Sequence, residues 1–322
     1  MMKKALVVGI NDYPNCPLSG CENDASGVAA ILETNGDGSP NFDVSLKTNI
    51  KEKRSLKEAI EELFAGEVDI ALFYFSGHGY LNELGGYIVT PDSRKYDEGV
   101  SMDEVLRYAN QSKTRNKIII LDCCHSGAIA EHSINATSSI INEGTTILAA
   151  CRNSEYAVEI GGHGVFTNLL ISALQGGAAN ICGEITPGSI YSYIDQALGA
   201  WEQRPVFKTN VVQFVSLRTI APRIALNILR KLPQYFETAN NVFSLDPSFE
   251  DTNSNDVRHE VKEPYADQEH VAIFKELQAL QSVGLVIPEG ADFMYFAAMN
   301  STGCKLTALG AHYWNLAKKH RI

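Results

Sequence analysis

The sequence predicts an α/β fold, a mostly parallel sheet flanked by helices on both faces, and three observations carry that expectation. Apolar runs rich in Val, Ile and Phe recur along the first two thirds of the chain. Segments with helical spacing of apolar residues separate them, so strand and helix alternate. Several runs break at their C-terminal ends into small or polar residues, as in GIND, FSGHG and LDCCHSG, and that edge of an open α/β sheet is where sites are usually built.

The first strand is expected over residues 5–10, where Asn11 and Asp12 cut the apolar run far below the length of a signal or membrane segment. A helix over 24–33, a strand over 44–46, a helix over 56–64 and a wholly apolar strand over 70–75 follow. The alternation continues with a helix over 102–109, strands over 117–121 and 146–150, and helices over 166–174 and 189–198. An apolar strand over 211–217 then closes a first domain near Ala221. From 240 to 267 the chain is rich in Asn, Asp, Ser, Glu and Pro with few periodic apolar positions, which reads as a solvated connector. Next come a helix over 268–283, the short runs GLVIP and FMYFAAM, and CKLTALGAHYWNLAKK. That order resembles a winged-helix domain, in which a helix leads into a β-hairpin and LTALG caps a final helix. Residues 222–322 are therefore expected to hold a connector and a small α+β regulatory or sensor domain.

Composition narrows the function. The 322 residues are 45% hydrophobic and 20% charged, the balance of a globular protein with a sizeable core. With 27 Lys and Arg against 38 Asp and Glu, the formal net charge of -11 argues against nucleic acid as a partner. Only the last stretch, with Lys305, Lys318, Lys319 and Arg321 and no acid after Asp292, points the other way. Seven scattered cysteines, without a CxxC pair or a histidine spacing that suits zinc, indicate neither a disulfide framework nor a metal knuckle. A reducing, cytoplasmic compartment fits that usage.

The phrase FSGHG ends one apolar strand and LDCCHSG ends the next long one, so a histidine and a cysteine arrive at the same sheet edge. A thiol attacks as thiolate, and a neighbouring imidazole both lowers its pKa and later protonates the leaving amine. The glycines let backbone N–H groups crowd toward a substrate carbonyl and stabilise its oxyanion.

On these phrases, together with GCENDA, ILAACRNSEYAVE and GVFTNLLISAL, the chain resembles the caspase-like cysteine peptidases, and within them the metacaspase and bacterial orthocaspase branch. In caspases the histidine lies about 50 residues upstream of the cysteine; here His78 precedes Cys124 by 46. The resemblance runs from Ala5 to about Leu217. It implies the caspase-haemoglobinase fold and a protease acting on protein or peptide substrates. His78 would be the acid–base residue, Cys124 the nucleophile, and the backbone N–H groups of Gly79 and Cys124 the oxyanion hole. Cys123 is the rival nucleophile; relatives carry a small residue there, so a buried place at the strand end is expected instead. His125 is expected to order the loop.

The resemblance also bears on specificity. Metacaspases that cut after arginine or lysine use carboxylates where this chain reads Asp24 and Asp122, and Cys21 and Ser76 match further pocket-lining positions. Paired carboxylates attract a cation and repel an acid. Singly, Asp24 reads as a helix N-terminal charge and Asp122 as a strand-end cap. Some metacaspases bind calcium through several aspartates, which leaves calcium open. Glu83, Asp92, Asp97, Glu98, Asp103 and Glu104 lack EF-hand spacing and read as a solvated acidic loop. Glu155, Glu159, His163 and His259 read as loop or surface residues. Two rival readings are a catalytically silent scaffold with this fold and a winged-helix regulator of nucleic acid. Bacterial fusions of this kind often serve signal-responsive defence, so an activating ligand or protein at the C-terminal domain is expected.

Overall fold

The computed structural model describes residues 1–123, 141–150, 159–160, 163–198, 205–254 and 261–322. They fall into two compact units, Met1–Ala221 and Pro222–Ile322.

The first unit begins with β1 (Lys3–Gly9), α1 (Cys21–Glu33), β2 (Asp43–Thr48), α2 (Lys53–Ala65) and β3 (Ile70–Ser76). A small antiparallel meander follows, made of β4 (Gly79–Asn82), β5 (Gly85–Ile88) and β6 (Val100–Ser101). Then come α3 (Met102–Gln111), β7 (Asn116–Asp122), β8 (Thr145–Ala149), and the short pair β9 (Glu159–Ile160) and β10 (His163–Gly164). The unit ends with α4 (Val165–Ser172), β11 (Glu184–Ile185), α5 (Pro187–Ala197), β12 (Val206–Asn210) and β13 (Arg218–Thr219).

The main sheet runs β12–β8–β7–β3–β1–β2, parallel throughout except for β12. Every residue of β3 and β7 is buried, which is why their centres, IALFYF and IIIL, read as continuous apolar runs: each face of a central parallel strand is covered. Along β3, Leu72 and Tyr74 pack with Val28 of α1, Leu170 of α4 and Ile190 of α5. Phe73 and Phe75 join Leu56 and Ile60 of α2 and Val105 of α3 on the other face. Burial of each such side chain contributes about 1.5–3 kcal/mol relative to exposure.

Three sequence expectations change here. The last strand of the main sheet is β12, not 211–217; residues 211–217 are irregular, and Val212 is 88% exposed. An edge strand has one unpaired side, so Lys208, Thr209 and Asn210 can sit in β12 and hide it from an apolar-run search. The helix expected to 174 leaves α geometry at Ala173 for a π turn over Ala173–Gly177, which Gly176 ends at a φ of 134°. The expected solvated connector is instead structured in its described part. It holds β14 (Val242–Ser244), a 3-10 turn at Pro247–Phe249, and a buried Asn253. The Asn253 amide donates to the carbonyls of Pro247, Lys262 and Pro264, and its oxygen accepts from the Lys262 N–H. Polar composition misled because these groups satisfy the segment's own backbone.

The second unit also contains α6 (Leu226–Arg230), α7 (Leu232–Tyr235), α8 (Gln268–Ser282), β15 (Val286–Glu289), α9 (Met294–Met299), β16 (Gly303–Leu306) and α10 (Ala308–Lys318). β15 and β16 pair antiparallel, with β14 on the far side of β16. They are not joined as a simple hairpin, because FMYFAAM between them is the helix α9. Its Met294, Ala297 and Ala298 are buried at helical spacing. Thr307 caps α10, accepting from the Gly310 N–H at 2.9 Å. No helix among the described residues is long and apolar enough to cross a membrane.

Candidate active site

β1, β3 and β7 end together. Gly9 pairs with Ser76 and Ser76 with Asp122, so the last residues of three adjacent strands form one row at the C-terminal edge. In-register neighbours turn their side chains to the same face, here the face of α1 and α4. A Cβ on Gly9 would lie 2.2 Å from the Cys21 carbonyl oxygen. Glycine at that point lets the first turn of α1 settle onto the strand end and brings Asp24 over Ser76.

Asp24, Ser76, Asp122 and Cys21 are all buried. Asp24 Oδ2 accepts from Ser76 Oγ at 3.3 Å and from the Gly164 N–H at 3.2 Å. Asp122 Oδ2 accepts from Thr167 Oγ1 at 2.5 Å, and that hydroxyl also meets the Tyr74 hydroxyl at 2.6 Å. Gly164, the residue before α4, joins the two acids: a Cβ there would stand 2.8 Å from Asp122 Oδ2 and 3.3 Å from Asp24 Oδ2. The structure thus gathers Asp24, Ser76 and Asp122 beside the start of α4, whose N-terminal dipole favours negative charge, while Cys21 opens α1 against Gly9. The Cys21 N–H is held by Asn11 Oδ1 at 2.9 Å.

Burial pushes the Asp122 carboxyl up to about 7; the Thr167 hydrogen bond works against this, and the Asp24 charge adds to it. Burial first, then the two carboxylates, drive the Tyr74 phenol well above its usual value, so it stays protonated.

His78 follows the end of β3 and is half-buried. Its N–H donates to the Tyr13 hydroxyl at 3.0 Å, the Tyr13 hydroxyl donates to the Val89 carbonyl at 3.2 Å, and the Val89 N–H returns to the His78 carbonyl at 3.0 Å. The Tyr13 ring meets the imidazole edge-on at 4.5 Å between centroids. His78 Nε2 lies 2.7 Å from the Cys16 carbonyl oxygen. A carbonyl only accepts, so this contact puts the proton on Nε2 and leaves Nδ1 as the basic nitrogen.

Cys123 is 1% exposed and lies in the core cluster with Phe75 and Leu121. Gly79 opens β4, paired with Ile88. Cys124 and His125, the chain after them through residue 140, and Cys151, Glu155 and His259 lie outside the described residues. In the acidic loop, Asp92 accepts from the Lys53 N–H and Thr90 Oγ1, and Asp97 pairs with Lys53 Nζ at 2.7 Å. Among the described residues no three His, Cys, Asp or Glu side chains converge to fit a metal such as calcium.

Sequence reading passed over Thr167, Tyr74, Gly164, Tyr13 and Cys16. Two of them left a signal: a threonine amid the apolar VFTNLL and a tyrosine amid IALFYFS are hydroxyls committed to burial, and buried hydroxyls need partners.

The model of the caspase domain family matches residues 2–215. No curated protein matches the chain. Among solved structures, protein GSU0716 from Geobacter sulfurreducens aligns at 17% identity over 68% of this chain and 98% of its own, with a TM-score of 0.51. Caspase-1 from Spodoptera frugiperda aligns at 13% identity over 68% of this chain and 91% of its own, with a TM-score of 0.48. At such identities the likeness to GSU0716 speaks to the fold alone.

Proposed function

The chain belongs to the caspase domain family, and from that membership we propose that it is a cysteine endopeptidase cutting proteins or peptides after arginine or lysine. The observation that carries the specificity is the buried pair Asp24 and Asp122, both against the backbone of Gly164 beside the strand end that leads to His78. Such a pair favours a guanidinium or ammonium group and repels an acidic side chain.

In this reading His78 Nδ1 takes the Cys124 thiol proton, and the thiolate attacks the scissile carbonyl carbon. The electron pair moves onto the carbonyl oxygen, which the N–H groups of Gly79 and Cys124 stabilise. As the C–N bond breaks, His78 returns the proton to the leaving amine; water, deprotonated by the same nitrogen, then releases the acyl group. The Cys16 carbonyl supports the imidazolium that forms at each stage.

The stretch from Ile118 to Cys151 contains neither Lys nor Arg. An enzyme of this preference therefore finds no self-cleavage site after its nucleophile, and activation rests on a ligand or partner engaging the second unit. Intact-mass analysis of the active protein should give one full-length chain; two fragments joined at a cut between 127 and 150 would contradict this activation route. A positional-scanning peptide library on the full chain tests the specificity. Cleavage after Arg or Lys is expected, and cleavage after Asp would sink the reading. Failure of Cys124 to react with a thiol-directed peptide probe would favour the silent scaffold.

A further inference from the structure

Two hydroxyls in the pocket wall have no part in the chemistry above, yet their geometry is directional. An ionised carboxylate only accepts, so Thr167 Oγ1, 2.5 Å from Asp122 Oδ2, commits its single proton there. Tyr74, 2.6 Å from the same threonine oxygen, must then donate to it. The chain runs Tyr74 to Thr167 to Asp122, and it ends on a charge-assisted hydrogen bond only when Asp122 is an anion. Both donors are wholly buried, Tyr74 in β3 and Thr167 in the first turn of α4, so neither is exposed to meet a substrate. The titratable groups that the described elements turn toward Asp122 are Asp24 from α1 and Tyr74 from β3. β8 ends nearby in Ala149, with Ala150 after it, and α4 offers Thr167 next to the backbone of Gly164, the residue before it.

We propose that Thr167, aligned by Tyr74, is the positioning residue that holds Asp122 as an oriented anion, and that it sets affinity for a basic side chain and not the rate of bond cleavage. The proposal rests on the pocket reading given above. Without the hydroxyl relay only the Thr167 backbone N–H still opposes burial and the Asp24 charge, so the Asp122 proton is lost at higher pH.

The test uses the full chain as Thr167→Val, Thr167→Ser and Tyr74→Phe. In one arm, the Asp122 carboxyl is titrated by carbon NMR on aspartate-labelled protein, with Asp122→Asn as the assignment control. Thr167→Val should move the titration upward by about one pH unit, Thr167→Ser should restore it, and Tyr74→Phe should move it less. In the other arm, KM for a peptide with arginine before the cut bond should rise about tenfold at pH 7 in Thr167→Val with kcat nearly unchanged, and the deficit should shrink at pH 9.

An unmoved Asp122 titration in Thr167→Val overturns the relay whatever the peptides do. A kcat loss at every pH that Thr167→Ser does not rescue assigns Thr167 a merely structural role and also overturns it. If Thr167→Val does not fold, Tyr74→Phe decides, and no shift there overturns the relay. A wild-type protein that ignores arginine and lysine peptides while Asp122 still shifts in Thr167→Val overturns the pocket reading and the specificity role with it, so the two failures are told apart.

Discussion

Just past the end of β3 His78 is half-buried, its imidazole held by the Cys16 carbonyl and its backbone N–H tied through the Tyr13 hydroxyl to the Val89 carbonyl. At the end of the neighbouring β7, Asp122 is 7% exposed and held by side-chain hydroxyls in series. If His78 exchanges protons with substrate and water, as proposed, it needs access and a fixed tautomer, and the Cys16 carbonyl supplies the tautomer without adding charge. If Asp122 holds a cation, as proposed, it gains from burial, because Coulomb attraction strengthens as water is excluded. The same burial makes its own charge costly. One edge therefore carries a side chain tuned by orientation beside one tuned by desolvation.

Replacing the two groups proposed to react should break the comparison most sharply. His78→Ala and Cys124→Ala should each lower kcat/KM by about a thousandfold or more while the chain stays folded, since they act as a unit. Cys123→Ser, in the core, should change it little. An active Cys124→Ala with an inactive Cys123→Ser would reverse the nucleophile.

Next in size is Asp122→Asn, which keeps shape and loses charge. A cost of about 2–4 kcal/mol in kcat/KM toward arginine peptides is expected. Equal activity toward arginine peptides in this variant and the wild type would remove Asp122 from the pocket.

The same variant sharpens the contrast through stability. Asp122 is raised to about 7 in the folded chain, against about 3.9 when unfolded. The folded state thus holds the proton more tightly, and the stability this contributes is complete below pH about 4 and lost as pH rises through about 7. Calorimetry should find Asp122→Asn gaining in thermal midpoint on the wild type between pH 5 and 8, and no such trend between pH 3 and 4. A pH-independent difference would contradict the raised carboxyl.

The smallest effect should come from Tyr13→Phe. It keeps the edge-on ring contact and removes the hydroxyl that ties the His78 N–H to Val89, so a kcat loss of about tenfold with KM unchanged is expected. A change in KM alone would place Tyr13 with the binding groups.

What the two halves of the site left in the sequence differs as well. His78 and Asp122 stand in short phrases that end apolar runs, and strand alternation with breaks at the C-terminal ends put both at one edge before any coordinates. Thr167 comes from a helix 45 residues beyond Asp122, and no local pattern ties the two. β12 hid for a related reason: an edge strand's polar residues carry no apolar period. The segment around Asn253 hid because buried amides that satisfy a loop's backbone look, in composition, like solvent-facing ones.

Binary patterning by itself determined the layered α/β architecture, because a covered parallel sheet demands apolar runs separated by amphipathic helices. It also determined which chemistry-bearing residues could reach the edge, since a strand's last residue is fixed by where its run breaks. Tertiary structure alone decided which donors reach Asp24 and Asp122, which nitrogen of His78 keeps its proton, and how far burial moves the Asp122 carboxyl. Those properties depend on distances of about 3 Å between groups from different elements, and such distances exist only after the helices have packed.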